Sequence, residues 1–256
     1  MDPDADTVAR LRAAGCVFAE DEAELIAASG AGAGDLEQMV ARRVAGEPLE
    51  HILGWAEFAG MRIAVDPGVF VPRRRSELLA RRAAALAAPG TTVVELCCGA
   101  AAIAASVAAS ATGASVHAAD VDPAAVAVAR RNLVPFGAHA YCGDLYTALP
   151  DALRGHVDVL VANAPYVPTG DIAFMPSEAR DAEPLIALDG GPDGLDLHRR
   201  IAAEAPDWLT SGGTLLIETS VRQSDATRSL MTAAGLTAHI ERDDDLDATI
   251  AVGVRD

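Results

Sequence analysis

Asp158-Val-Leu-Val-Ala-Asn163-Ala-Pro-Tyr166 is the stretch on which the reading of this chain turns. Val157 to Ala162 form a nearly continuous apolar run of strand length, the pattern of a strand buried on both faces. The run stops abruptly at a polar Asn, a Pro and an aromatic. The amide of Asn163 can both donate and accept hydrogen bonds, so it can hold a planar nitrogen group. The ring of Tyr166 can stack on that plane, and Pro165 stiffens the loop so that both groups are held in place beforehand. A strand delivering these residues to its carboxyl end suits the capture of an amide or a nucleobase amino group. The same residues would also serve a plain Pro-containing turn.

Working outward, the chain alternates strand and helix patterns from residue 92 onward. Strands are expected over Thr92–Leu96, Ser115–Ala119, Ala138–Cys142, Val157–Ala162 and Thr214–Glu218. Helices are expected over Ala101–Ser110, Pro123–Leu133, Leu195–Leu209 and Ser224–Ala234, with a short one near Tyr146–Leu153. Two last strands, Thr237–Glu241 and Ala248–Val254, are separated only by a short turn and must pair antiparallel. Repeated β–α units imply an α/β fold: a seven-stranded, mostly parallel sheet with helices on both faces and an antiparallel C-terminal hairpin. Ahead of it lie a helix from Ser76 to about Ala88, and short β-type runs (Met61–Val65, Val69–Val71) broken by Gly and Pro. First of all come helical patterns over residues 4–46, with Asp35 as a plausible N-cap. The expected division is a helical cap at 1–50, a hairpin connector at 51–75 and the α/β domain at 76–256.

In such sheets ligands sit at the carboxyl ends of the strands. Four of these ends carry polar or glycine-bearing turns. Glu95-Leu-Cys-Cys-Gly99 is a strand-to-helix turn in which Gly99 allows close backbone approach. It lacks the G-x-G-x-x-G spacing, which disfavours a dinucleotide. Asp120 ends the next strand, where an acidic residue reads ribose hydroxyls, while Asp122 before Pro123 suits a helix N-cap. Asp144 follows the third strand and can accept from an adenine amino group. Asn163-Ala-Pro-Tyr166 is the fourth.

Composition narrows the classes. At 256 residues, with 51% hydrophobic residues, the chain can bury a full α/β core. A net charge of −17 argues against a broad nucleic-acid footprint, which needs a basic face. The four cysteines show no C-x-x-C spacing and are expected to be reduced thiols. No ligand-like His spacing suggests a metal. No leader or membrane-spanning run is recognised, so a cytoplasmic location is expected. A monomer is expected as well.

The chain resembles the class I S-adenosylmethionine-dependent methyltransferases (Rossmann-like), specifically the protein-(glutamine-N5) methyltransferase family with its HemK-type release-factor enzymes. The resemblance rests on Asn163-Ala-Pro-Tyr166, on Pro48-Leu-Glu-His-Ile-Leu-Gly54 and on Pro67-Gly-Val-Phe-Val-Pro-Arg73. It extends through Glu178, Arg180, Glu183-Pro184, Ala187-Leu-Asp-Gly-Gly191 and Asp193-Gly-Leu195. It implies S-adenosylmethionine as cofactor, held by Glu95, Cys97, Gly99, Asp120, Asp144 and Asn163. It implies methylation of a protein glutamine, with Asn163, Ala164, Pro165 and Tyr166 gripping the amide. Arg73, Glu178, Arg180, Glu183 and Pro184 are implied on the substrate side. Three positions depart from the family pattern. Ala164 replaces the first Pro of Asn-Pro-Pro-Tyr, Cys97 and Ala101 replace two of three alternate glycines, and Arg73-Arg-Arg-Ser76 replaces Arg-Pro-Glu-Thr. The arginines suggest a docking surface for a negatively charged partner. Two other readings stay open: a DNA or RNA amino-methyltransferase acting on adenine N6 or cytosine N4, and a cofactor-binding protein without catalysis.

Overall fold

The computed structural model describes residues 5–256; residues 1–4, part of the acidic start in which no leader is recognised, lie outside them. Among the described residues nine strands form two sheets: β1 (Trp55–Phe58) and β2 (Met61–Ala64) make a hairpin. The others are β3 (Thr92–Leu96), β4 (Ser115–Asp120), β5 (His139–Cys142), β6 (Val157–Ala162), β7 (Leu209–Glu218), β8 (Leu236–Asp243) and β9 (Ala248–Arg255). The large sheet has the order β5-β4-β3-β6-β7-β9-β8. β3 to β7 are parallel, and β9 runs antiparallel to both β7 and β8. The helices are α1 (Ala5–Ala13), α2 (Ala19–Ala27), α3 (Ala33–Val44), α4 (Leu49–Leu53), α5 (Glu77–Leu86), α6 (Ala102–Ser110), α7 (Pro123–Leu133), α8 (Ser177–Arg180), α9 (Asp196–Trp208) and α10 (Ser224–Ala233).

The central strands are apolar on both sides because both sides are covered. Val93, Val159, Val161 and Leu216 face the layer of α5, α6 and α7, packing with Leu79, Val107, Val126 and Leu133. Val94, Leu96, Leu160, Leu215 and Ile217 face the opposite layer, with Ile201, Trp208 and Met231 of α9 and α10. Each such Val, Leu or Ile contributes about 1.5–3 kcal/mol by leaving water. A third cluster (Leu11, Ala23, Ile26, Val40, Leu49) holds α1 to α4 together.

Several boundaries differ from the sequence expectation. α3 begins at Ala33 with Gly32 as its N-cap, and Asp35 lies in the first turn, where a carboxylate favours the helix dipole. Val69–Val71 is not a strand, since the Val71 N–H donates to the Glu183 carboxylate at 3.1 Å instead of to a ladder partner. The hairpin instead pairs Trp55–Phe58 with Met61–Ala64 around Ala59 and Gly60, both at positive φ. Residues 145–153 form two 3₁₀ turns separated by Pro150 rather than a helix. β7 starts five residues early and carries Gly212-Gly213 within it, where its register against β6 shifts between Val157 and Val159. A Cβ on Gly213 would stand 2.9 Å from the Thr210 carbonyl and 3.0 Å from the Val157 carbonyl, so a side chain there would force the backbone to shift.

Candidate active site

The carboxyl ends of β3, β4, β5 and β6 open into one cavity of about 880 Å³. Its walls include Glu95, Cys97, Gly99, Asp120, Asp144, Asn163, Ala164, Pro165 and Tyr166, and also Arg73, Glu183 and Pro184. Most of the residues singled out in the sequence are therefore gathered in one place.

At one end the turn after β3 arches over the N-terminus of α6. Cys97, Gly99 and Ala101 all have left-handed backbone, at φ of 54°, 52° and 58°. These are the three positions where the family pattern alternates glycine. Cys97 and Ala101 hold this backbone without being glycine, at a strain of about 1–2 kcal/mol each. The Asp120 carboxylate accepts from the N–H of Gly99 at 2.8 Å and of Asp122 at 2.9 Å, which fixes it beside the turn. Asp122 N-caps α7 through the Ala124 N–H. The Glu95 carboxyl points inward and accepts from the Ala104 N–H at 2.8 Å, so it anchors the first turn of α6. Burial, opposed by that hydrogen bond and reinforced by Asp120, raises its pKa to about 8. Asp144, read as an adenine acceptor, is half-exposed and paired with Arg200 at 2.7 Å. Asn132 of α7 ties this end to the hairpin, donating to the carbonyls of Ala100 and Ala64.

At the other end Asn163 leaves β6 with its amide held from outside. Its Nδ2 donates to the Ser76 hydroxyl at 3.0 Å. Among the described residues no donor reaches Asn163 Oδ1 or the Ala164 carbonyl, so two acceptors remain at the cavity wall. The Tyr166 hydroxyl donates to Glu218 at 3.1 Å, and Arg75 Nε donates to the same carboxylate oxygen. Burial, with Glu218 beside it, pushes the Tyr166 phenol up, so it stays neutral. The Tyr166 carbonyl accepts from Gln223 and is covered by Gly194, where a Cβ would stand 2.3 Å from it. That close approach gives the Asp193-Gly-Leu195 motif a physical reason. Glu183, buried, accepts from the Val71 N–H and from Arg73 at 2.6 Å, closing the loop after β6 over the cavity. Burial pushes its carboxyl up against these opposing contacts.

Some expectations need correction. Glu178 and Arg180, expected on the substrate side, lie outside the cavity wall. Glu178 pairs with Arg43 of α3 at 2.7 Å, and Arg180 with its neighbour Asp181. The Arg73–Arg75 cluster is not an open basic patch, because Arg73 and Arg75 are turned onto the buried carboxylates of Glu183 and Glu218. Ser76, Glu218 and Arg200 were not picked out as site residues. Glu218 ends β7 and Asn163 directly follows β6, so the strand-end rule would have found it. Among the described residues no cluster of His, Cys, Asp and Glu is placed to hold a metal, and no helix is long and apolar enough to cross a membrane.

A sequence profile described as the methyltransferase small domain matches residues 60–175. A release factor glutamine methyltransferase of Geobacter sulfurreducens is 36% identical over 199 residues, 77% of this chain and 69% of that protein. A 4-amino-L-phenylalanine/4-methylamino-L-phenylalanine methyltransferase of Streptomyces pristinaespiralis is 38% identical over 207 residues, 78% of this chain and 70% of that protein. A methyltransferase structure from Pyrococcus furiosus superposes with a TM-score of 0.58 at 17% identity, over 86% of this chain and 98% of that one. It shares the fold. Strand order, the residues around the cavity and sequence identity agree: the chain is a class I S-adenosylmethionine-dependent methyltransferase that belongs to the release factor glutamine methyltransferase family.

Proposed function

We propose that this enzyme methylates the side-chain amide nitrogen of a glutamine in a protein, a release factor being the first candidate. The observation that carries the reading is the acceptor end of the cavity: Asn163 Oδ1 and the Ala164 carbonyl are both without a donor among the described residues, on the wall beside Tyr166. A primary amide has two N–H groups, which match two acceptors. An amide nitrogen is a weak nucleophile because its lone pair is shared with the carbonyl. Two acceptors aimed at its protons orient it and favour a more pyramidal nitrogen, while Tyr166 packs on the amide plane. Ala164 supplies its carbonyl as Pro would; what it loses is backbone stiffness.

The residues at the other end fit S-adenosylmethionine. Asp120 is held where it can accept from ribose hydroxyls, the left-handed turn at Gly99 brings backbone close, and Asp120 and Asp144 place carboxylates on the wall toward a cationic ligand. When bound, this cofactor supplies an electrophilic methyl group on a sulfonium, so no strong base is required of the protein. For Asp144 the role requires sharing or releasing Arg200. Glu183 and Pro184 close the substrate side, with Arg73 holding Glu183. In this reading residues 1–50 are a helical cap, 51–75 a connector and 76–256 the catalytic domain, working as a cytoplasmic monomer without nucleic acid.

The test uses purified release factors, labelled S-adenosylmethionine and, as a competing acceptor, 4-amino-L-phenylalanine. Label on a release-factor glutamine supports the reading. Label only on the aromatic amine, or on neither, overturns the protein-glutamine assignment.

A further inference from the structure

Three side chains from distant parts of the chain meet on Tyr166. The Tyr166 hydroxyl donates to Glu218 Oε1 at 3.1 Å, and Arg75 Nε donates to that same oxygen at 3.2 Å. Arg75 also bonds the phenol oxygen, so hydroxyl, carboxylate and guanidinium close a triangle. From α9, the His198 imidazole stands 6.4 Å from the Tyr166 ring centre, with the two planes at 53°. Burial lowers the His198 pKa to about 4, so this is a packing contact and not a charge. Gln223 donates to the Tyr166 carbonyl. Backbone, ring and hydroxyl are therefore each held by a different neighbour. Glu218 is more than packing requires. Its side chain is 2% exposed, and among the described residues its Oε2 has no hydrogen-bond partner. His198 Nε2 has none either. Leaving a buried carboxylate oxygen unpaired is destabilising, and an apolar side chain of similar size would avoid it. Polar groups kept against the stability of the core mark a site rather than a fold. The strand register agrees: Ala162 of β6 pairs with Ile217 of β7, so Asn163 and Glu218 follow at the same level on neighbouring strands.

We propose that Glu218 is a positioning residue for methyl transfer: with Arg75 as its counter-ion it locks the Tyr166 hydroxyl, and through it the plane of the ring on which the acceptor nitrogen packs. The proposal rests on the reading of Tyr166 given above. Arg75 stands where the family pattern has Glu. An arginine there supplies the positive charge that a buried carboxylate needs, whereas a second carboxylate would oppose it. This form of the lock therefore follows from the departure at position 75.

The test reads the ring and the reaction separately. The chain has three tyrosines, so in protein labelled with 3-fluorotyrosine the fluorine signals lost in Tyr166→Phe report this ring alone. A locked ring shows separate signals for fluorine on its two edges, and Glu218→Gln, Glu218→Leu and Arg75→Gln should merge or shift them. Turnover is measured on the nitrogen that the wild-type enzyme labels. Glu218→Leu should lower kcat about tenfold, and Glu218→Gln, which keeps an acceptor for the phenol, should lower it less, with cofactor Kd unchanged in both. Tyr166→Phe should lose about as much as Glu218→Leu, and the double variant little more, because both remove one contact. If Glu218→Leu does not fold, Glu218→Gln and Arg75→Gln carry the same comparison. Ring signals unchanged in the folded variants overturn the proposal. A freed ring with normal turnover, or losses that add in the double variant, makes Glu218 a structural support only and also overturns it. Transfer to a nitrogen other than glutamine overturns the glutamine reading and leaves the lock to be judged by ring and turnover; no transfer at all overturns both.

Discussion

The two ends of the cavity have diverged from the family pattern in opposite ways. At the β3 turn two side chains depart from the family pattern, yet Cys97 and Ala101 hold the left-handed backbone that glycine would adopt freely. At the β6 turn Asn163, Pro165 and Tyr166 are kept, but their surroundings changed, with Ala164 inside the motif and Arg75 set on Glu218 beside Tyr166. A turn read by a ligand through its backbone tolerates new side chains as long as φ is held. A turn that reads a ligand through side chains cannot, so new neighbours there alter what is recognised. The comparison therefore predicts a constant cofactor and a changed acceptor.

The largest effect should come from the Asn163 side chain at the acceptor end. Asn163→Ala is expected to lower kcat by at least about a hundredfold while cofactor Kd moves by less than about threefold. A matched loss in both would mean that the two ends are not separable. Asp120→Ala probes the opposite end: cofactor binding should weaken by about 1–3 kcal/mol, measured by titration calorimetry, because a fixed charged acceptor is removed.

Glu95 sharpens the comparison through pH. Its folded pKa of about 8 lies above the ordinary 4.5, so the folded chain holds a proton there that the unfolded chain releases. Stability should therefore fall as pH rises from about 4.5 to 8. Glu95→Gln keeps an acceptor for the Ala104 N–H and stays neutral, so its denaturant midpoint should fall less across that window. An unchanged slope would show that Glu95 is ionised in the fold. The smallest effect is expected from Ala101→Gly, which relieves left-handed strain but exposes one methyl's worth of core. The net change should stay within about 1 kcal/mol, with cofactor affinity equal or tighter. A clear loss of affinity would contradict the view that backbone shape alone is kept there.

Much of the fold was legible because burial on both faces leaves a plain signal. The apolar runs at 92–96 and 157–162 match β3 and β6, and Asp122-Pro123 marked the start of α7. The start of β7 was not legible, because Gly212-Gly213 read as a loop when glycine was needed for close passage past Val157. In the site, strand ends pointed to Asp120 and Asn163, whose positions follow from local order. Arg75 with Glu218, 143 residues apart, and Glu178 with Arg43 depend on long-range packing that no local pattern carries. That is why Glu178 and Arg180, expected on the substrate side, do not line the cavity.

The most direct test of the account is the chemical position of the transferred methyl group. The enzyme, labelled S-adenosylmethionine and an extract from cells lacking the enzyme are combined, and the labelled proteins are digested and sequenced by mass spectrometry. The account predicts label on the side-chain nitrogen of a glutamine, lost with Asn163→Ala. Label on a nucleic acid base, or on a protein residue other than glutamine, would contradict it.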